Sequence, residues 1–172
     1  VKLSYAIKKF NFIIENRICA DLGSSTGGFT DVLIKNKARK IYCVDVGKGQ
    51  LDWKLVTNKK VIVLDKTNVR NFHLENVDDK ISLVTCDLSF ISIKKALINI
   101  INSKISDLNL IVLIKPQFEL SREKIGKNGI VRNNEFRQEA VDNITSWFSS
   151  KNWKIQGLIE SPITGTKGNK EY

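Results

Sequence analysis

The sequence is poor in the residues that build metal centres and disulfide frameworks. Among 172 residues there is no methionine, one histidine (His73) and an odd, widely spaced set of three cysteines: Cys19, Cys43 and Cys86. This offers neither the usual zinc-ligand spacing nor a disulfide scaffold, and it fits a reducing cytoplasm. Cys19 and Cys43 each fall inside an apolar run and are expected as small buried hydrophobes. His73, following Phe72 in a turn, is expected as a solvated loop residue. Long apolar runs are missing too. Leu108 to Ile114, broken by Asn109, is far too short to span a bilayer, and no secretory leader is visible.

What the sequence has in excess is positive charge: 28 Lys and Arg against 18 Asp and Glu, a formal +10 spread over the whole length. Such a balance suits a polyanionic partner, nucleic acid above all, through phosphate attraction and counterion release. A Lys-, Asn- and Ile-rich coding bias would leave the same number of solvated lysines, so charge does not decide. Candidate phosphate contacts are Lys2, Lys8, Lys9, Arg122, Lys124, Lys127 and Arg132. The last four lie in a basic, glycine-hinged stretch, 121–132, that could close over RNA.

The length suits one domain. Five short apolar runs, at 17–23, 40–47, 60–65, 81–87 and 110–115, each end on a polar or glycine residue and read as strands. Helical patterns alternate with them, notably Gly28 to Lys37 and Ser92 to Ser103, and another precedes the first strand at Leu3, Ala6, Ile7 and Phe10. Strand and helix in alternation predict an α/β fold, a mostly parallel sheet with helices on both faces. A last helix is expected over 136–151, with Trp147 packing inward, and a sixth strand over 153–161. The turn-rich tail 162–172 leaves no room for a further strand, which is expected beyond Tyr172.

The first strand runs into "ADLGSSTGGFTDVLI" (20–34), a glycine loop leading into a helix. Glycine permits torsions and close approach that a Cβ obstructs, and a helix start offers free amides. Gly23 and Gly28 have the spacing of a triphosphate-binding loop, but Phe29 stands where its lysine is needed. A dinucleotide fingerprint fails as well, because Ser25 occupies the middle glycine position. There remain Asp21, two residues before the first glycine, and Asp45, which ends the second strand 22 residues after Gly23. Asp45 is placed to bind two ribose hydroxyls; Asp21 is placed to meet a cationic amine or to position loop amides. An amine, a sulfonium and a ribose without phosphate describe S-adenosylmethionine, with a nicotinamide or flavin cofactor, or none at all, as the alternatives. Its candidate ligands are Asp21, Gly23, Ser24, Ser25, Thr26, Gly27, Gly28, Phe29, Asp45 and Asp87, with Asn68 and the Val69 backbone near the adenine.

Asp87 ends the fourth strand and Lys115, in "LIVLIKPQFE" (110–119), ends the fifth. Leu110 to Ile114 are expected to be covered by helices on both faces, which would hold the lysine still. Pro116 disfavours helical torsions at Lys115 and keeps it extended. In open α/β sheets the carboxyl ends of the strands form the ligand crevice, so the two side chains should converge beside the donor. There they would orient a hydroxyl acceptor, or form a purely structural ion pair.

An ordered set of motifs then resembles one family: "VKL" (1–3), "DLGSSTGGFTDVL" (21–33), "VDVGKGQLDWKL" (44–55), "TNVR" (67–70), "DLSFIS" (87–92), "IKPQFE" (114–119), "GKNGIVR" (126–132) and "SPITGTKGNKEY" (161–172). They are similar to the TlyA-type hemolysins, themselves similar to FtsJ-type, Rossmann-fold ribosomal RNA 2'-O-methyltransferases. The resemblance implies a catalytic tetrad of Lys2, Asp87, Lys115 and Glu171 around the target ribose. It also implies ribosomal RNA or a ribosomal subunit as partner, and a small N-terminal RNA-binding domain preceding a methyltransferase domain over 1–172, truncated at both ends. A methyltransferase acting on another substrate, and a non-catalytic RNA-binding or hemolysin-like module, remain as alternatives.

Overall fold

The computed structural model describes residues 1–172. Its centre is a five-stranded, wholly parallel sheet of β1 (Ile18–Leu22), β2 (Lys40–Val44), β3 (Val61–Leu64), β4 (Leu83–Cys86) and β5 (Asn109–Val112), in the order β3-β2-β1-β4-β5. The chain first builds outward from β1 to β3, then returns to the other side of β1 with β4. The order therefore reverses between β1 and β4, the place where open α/β sheets bind their ligands.

Because successive strand residues face opposite sides, the sheet feeds two cores. Cys19, Ile41, Cys43, Val61 and Leu83 pack under α1 (Lys2–Lys9), α2 (Gly28–Lys35) and α3 (Trp53–Val56). Ala20, Leu22, Val44, Val84 and Cys86 pack under α4 (Ile93–Ala96), α5 (Ile98–Ile101) and α6 (Asn134–Ser150). All three cysteines are free and buried, and burial pushes the Cys19 and Cys43 thiols up to about 12. His73 is exposed, within 3.3 Å of the Asn99 carboxamide. Trp147 is half-buried against the second core, and the fully covered face of α6 is Ala140, Val141, Ile144 and Phe148.

Three expectations need correction. The helix foreseen over Ser92 to Ser103 is two short helices, since Leu97 has ψ 5° and breaks the run. β5 stops at Val112, and its residues are half-buried rather than covered on both faces. The sixth strand over 153–161 does not form, because residues 154–160 donate no backbone hydrogen bond to a neighbouring strand. A groove of about 470 Å³ lies there instead, lined by Leu110, Val112, Ile155 and Ile159 among others. At its end Tyr172 and Ile114 exchange backbone bonds of 2.7 and 2.9 Å, and Ser161 N–H donates to the Glu171 carbonyl at 2.8 Å. No helix is long and apolar enough to cross a membrane.

Candidate active site

The loop after β1 is shaped by two left-handed glycines. Gly23 has φ +77°, and a Cβ there would come 2.4 Å from the Asp87 carbonyl oxygen, so the loop lies directly on the end of β4. Gly27, at φ +101°, forms the N-cap of α2, where a Cβ would strike Leu55 and Leu51. Gly28, by contrast, faces open space: a Cβ would meet nothing within 4 Å.

Asp21 is wholly buried. Thr30 donates to one of its oxygens at 2.7 Å and Thr85 to the other at 2.8 Å, which ties β1, α2 and β4 together beneath the loop. Burial raises its carboxyl to about 6; the two threonine hydroxyls act against that shift, while the Asp87 charge adds to it. Both oxygens face hydroxyls of the protein, so the carboxylate braces the loop and does not reach outward to an amine. Sequence reasoning did not single out Thr30 or Thr85. The only available signal was a threonine at the start of the helix following a strand-end aspartate.

Asp45 is held differently. Ser25 N–H donates to Oδ2 and Gly47 N–H to Oδ1, both at 2.8 Å. Each oxygen keeps a lone pair, and the residue is only half-buried, so the carboxylate is both fixed and accessible. Ser24 is buried at the foot of the loop, with Ser25 and Thr26 exposed at its tip. The Phe29 ring packs with the first core and lines the apolar groove, so its side chain is removed from the loop. Asn68 spends its carboxamide oxygen on Arg70 N–H at 3.0 Å, capping the turn whose first residue, Val69, buries its side chain.

The four tetrad positions meet as two ion pairs. Lys115 Nζ lies 2.6 Å from Asp87 Oδ1, and Lys2 Nζ lies 2.5 Å from Glu171 Oε2. The antiparallel exchange between Ile114 and Tyr172, continued by one residue, sets Lys115 opposite Glu171 and so brings the two pairs to one end of the sheet. Lys115 is extended, at φ −114° and ψ 101°, as the following proline requires. It is 9% exposed and Glu171 2%. An apolar groove lies beside β5, but the strand ends, where the carboxylates and ammonium groups converge, are the place for chemistry.

The basic stretch 121–132 consists of short turns. Asn169, 3% exposed, fastens it to the segment carrying Glu171: its Oδ1 accepts from Val131 N–H at 2.9 Å and its amide donates to the Gly129 carbonyl at 2.8 Å. No sequence signal pointed to Asn169. Of the basic candidates, Lys2 is committed to Glu171 and Lys124 to Glu139, whereas Lys8, Lys9, Arg122, Lys127 and Arg132 are exposed.

The donor set fits S-adenosylmethionine in kind. The loop 21–31 carries hydroxyls, amides and carboxylates but no lysine or arginine, so it lacks the cation of a triphosphate-binding loop. The open space at Gly28 and the exposed lone pairs of Asp45 leave room and partners for an adenosine. A glycine loop without the dinucleotide fingerprint and an acidic strand end at the reversal point of a parallel sheet fit a Rossmann-like S-adenosylmethionine-dependent methyltransferase. The chain belongs to the FtsJ-like methyltransferase family, whose model matches residues 1–172.

Among its relatives, hemolysin A of Brachyspira hyodysenteriae is 40% identical over 173 residues, covering 99% of this chain and 72% of that protein. The 16S/23S rRNA (cytidine-2'-O)-methyltransferase TlyA of Mycobacterium tuberculosis is 36% identical over 171 residues, covering 99% and 64%. The chain thus spans between 64% and 72% of the length of these two relatives. A crystal structure of a candidate hemolysin from Lactococcus lactis superposes with a TM-score of 0.92 at 38% identity, covering 99% of this chain and 82% of that one.

Proposed function

We propose that this domain methylates a ribose 2'-hydroxyl of ribosomal RNA, acting in the cytoplasm with S-adenosylmethionine as donor. The observation that carries this reading is Lys115, a lysine buried at the carboxyl end of β5 and held by Asp87 beside the donor loop. The donor, when bound, supplies a methyl group on a sulfonium sulfur. Asp45 would hold its ribose, and the Ser24 to Gly28 backbone would cradle the amino-acid end, with Asp21 keeping that loop in place through Thr30 and Thr85. The Asn68 turn would border the adenine.

Methyl transfer needs nucleophile, carbon and leaving group nearly in line, so fixing the acceptor oxygen contributes as much as removing its proton. Lys115 contacts the 2'-hydroxyl in this reading. Asp87 orients Lys115, Glu171 orients Lys2, and Lys2 steadies the ribose or an adjacent phosphate. The exposed cations Arg122, Lys127 and Arg132 would bind the RNA backbone and carry no sequence information. Target choice then rests with an RNA-binding domain N-terminal to this one in the whole protein. The relatives named for rRNA (cytidine-2'-O) transfer support the substrate class.

The test is to incubate ribosomal RNA with the whole protein and labelled S-adenosylmethionine, digest to nucleosides and locate the label by mass spectrometry. A ribose-borne methyl is expected. Label confined to a base would overturn the assignment.

A further inference from the structure

A group outside the tetrad also touches Lys115. Its Nζ donates to the Ser89 hydroxyl at 3.1 Å, in addition to the contact with Asp87 at 2.6 Å. An ammonium or amine nitrogen has three directions beyond its carbon. Asp87 fills one and Ser89 a second, which leaves a single direction for a third partner.

The turn bearing Ser89 has an unusual backbone. Phe90, the next residue, adopts φ +64°, a left-handed conformation that bulky side chains rarely accept. Its ring packs on Phe118, three residues after Lys115, with centroids 5.2 Å apart and planes at 52°. This contact joins the Ser89–Lys115 bond in linking the segment that carries Ser89 to the segment that carries Lys115. Phe90 is 91% exposed, so its own burial does not account for the strained torsion.

We infer that Ser89 is a positioning residue: by accepting from Lys115 Nζ it fixes rotation about the last side-chain bond and aims the remaining direction at the acceptor hydroxyl. In the ammonium form that direction is an N–H that orients the acceptor oxygen. In the amine form, with Asp87 and Ser89 taking the two N–H groups, it is the lone pair. Ser89 does not itself touch the reacting atoms. The inference rests on the proposed role of Lys115, and its chemistry requires a hydroxyl at this place, not merely a small residue.

Three proteins decide it: wild type, Ser89→Ala and Ser89→Thr, each in the whole protein with ribosomal RNA and S-adenosylmethionine. Ser89→Ala should lower kcat roughly tenfold while KM for both substrates stays put, as loss of orientation without loss of binding demands. Ser89→Thr, which restores the hydroxyl, should recover most of kcat. A second readout needs neither substrate: in the protein alone, the Nζ protons of Lys115 should exchange with water faster in Ser89→Ala than in wild type and Ser89→Thr, because one of the two bonds that hold them is gone. Wild-type kcat in Ser89→Ala overturns the inference, as does a loss confined to KM or a failure of threonine to restore the rate. The site of methylation is read separately from the digested RNA. A base-borne methyl would defeat the ribose assignment while the kcat ratios still decide for or against Ser89.

Discussion

Lys2 Nζ and Glu171 Oε2 meet at 2.5 Å although 169 positions separate them in the chain. The contact joins the first turn of α1 to the segment that pairs with Ile114, and the Glu171 side chain is only 3% exposed where it is made. A carboxylate in that position is tolerable because the ammonium compensates it.

The first prediction follows from that asymmetry. Lys2→Met leaves a buried carboxylate without its cation and should destabilise the fold by about 3 kcal/mol. Adding Glu171→Gln to the same chain removes the stranded charge and should return part of the loss, so the double variant is more stable than Lys2→Met alone. Urea unfolding of the four proteins of this cycle measures the coupling. Strict additivity would mean that the pair is not formed.

Lys115→Ala should abolish most of the turnover while leaving donor affinity near that of wild type. A positioned side chain of this kind contributes roughly 10²- to 10⁴-fold to rate. In the proposed reading donor binding rests on the loop after β1 and on Asp45, whereas Lys115 is held by Asp87 and Ser89. Calorimetric titration with S-adenosylmethionine, run beside a methyl-transfer assay, separates the two quantities. A variant that turns over at the wild-type rate would remove Lys115 from the catalytic centre.

These two lysines differ in how far the sequence disclosed them. Lys115 and Asp87 were legible because each terminates an apolar run, and the strand-helix-strand spacing between them brings their ends together. The five strands were legible for the same reason. Lys2 and Glu171 came only from family resemblance, since each is an isolated charged residue near a chain end and no local period encodes a contact across 169 positions. The segment 153–161 misled because its apolar pattern suits a strand, yet a strand exists only where the backbone finds a partner, and here it borders a groove. Ser89 went unnoticed because its bond to Lys115 crosses 26 positions of the chain, and no local pattern encodes such a contact. Asp21 was expected either to meet an amine or to position the loop, and the hydroxyls of Thr30 and Thr85, which no sequence signal paired with it, suit it to the second role.

Asp45→Ala should weaken S-adenosylmethionine binding by about 1.5–3 kcal/mol, the range for a hydrogen bond to a charged group, or roughly tenfold to a hundredfold in Kd. The same change frees the amides of Ser25 and Gly47, both of which it now orders. Asp45→Asn keeps one acceptor oxygen and should lose less. Direct titration of each variant with the donor checks the order. Equal affinities for wild type and alanine would place the donor's ribose elsewhere.

The final prediction concerns pH. In the unfolded chain the Asp21 carboxyl titrates at its ordinary value of 3.8, and in the fold burial raises it to about 6. Between those two values the folded protein holds the proton more tightly than the unfolded chain does, so the folded state binds more protons and stability must fall as pH rises. The contribution of this group is fully present below about pH 4 and is gone above about pH 6 to 7, a change on the order of 3 kcal/mol. Asp21→Asn, which cannot titrate, should lack this slope. The stability difference between wild type and variant, taken from urea midpoints at half-unit steps from pH 4 to 7, should therefore shift steadily against the wild type. Curves that run parallel across the window would show that Asp21 is ionised throughout and that Thr30 and Thr85 fully compensate its burial.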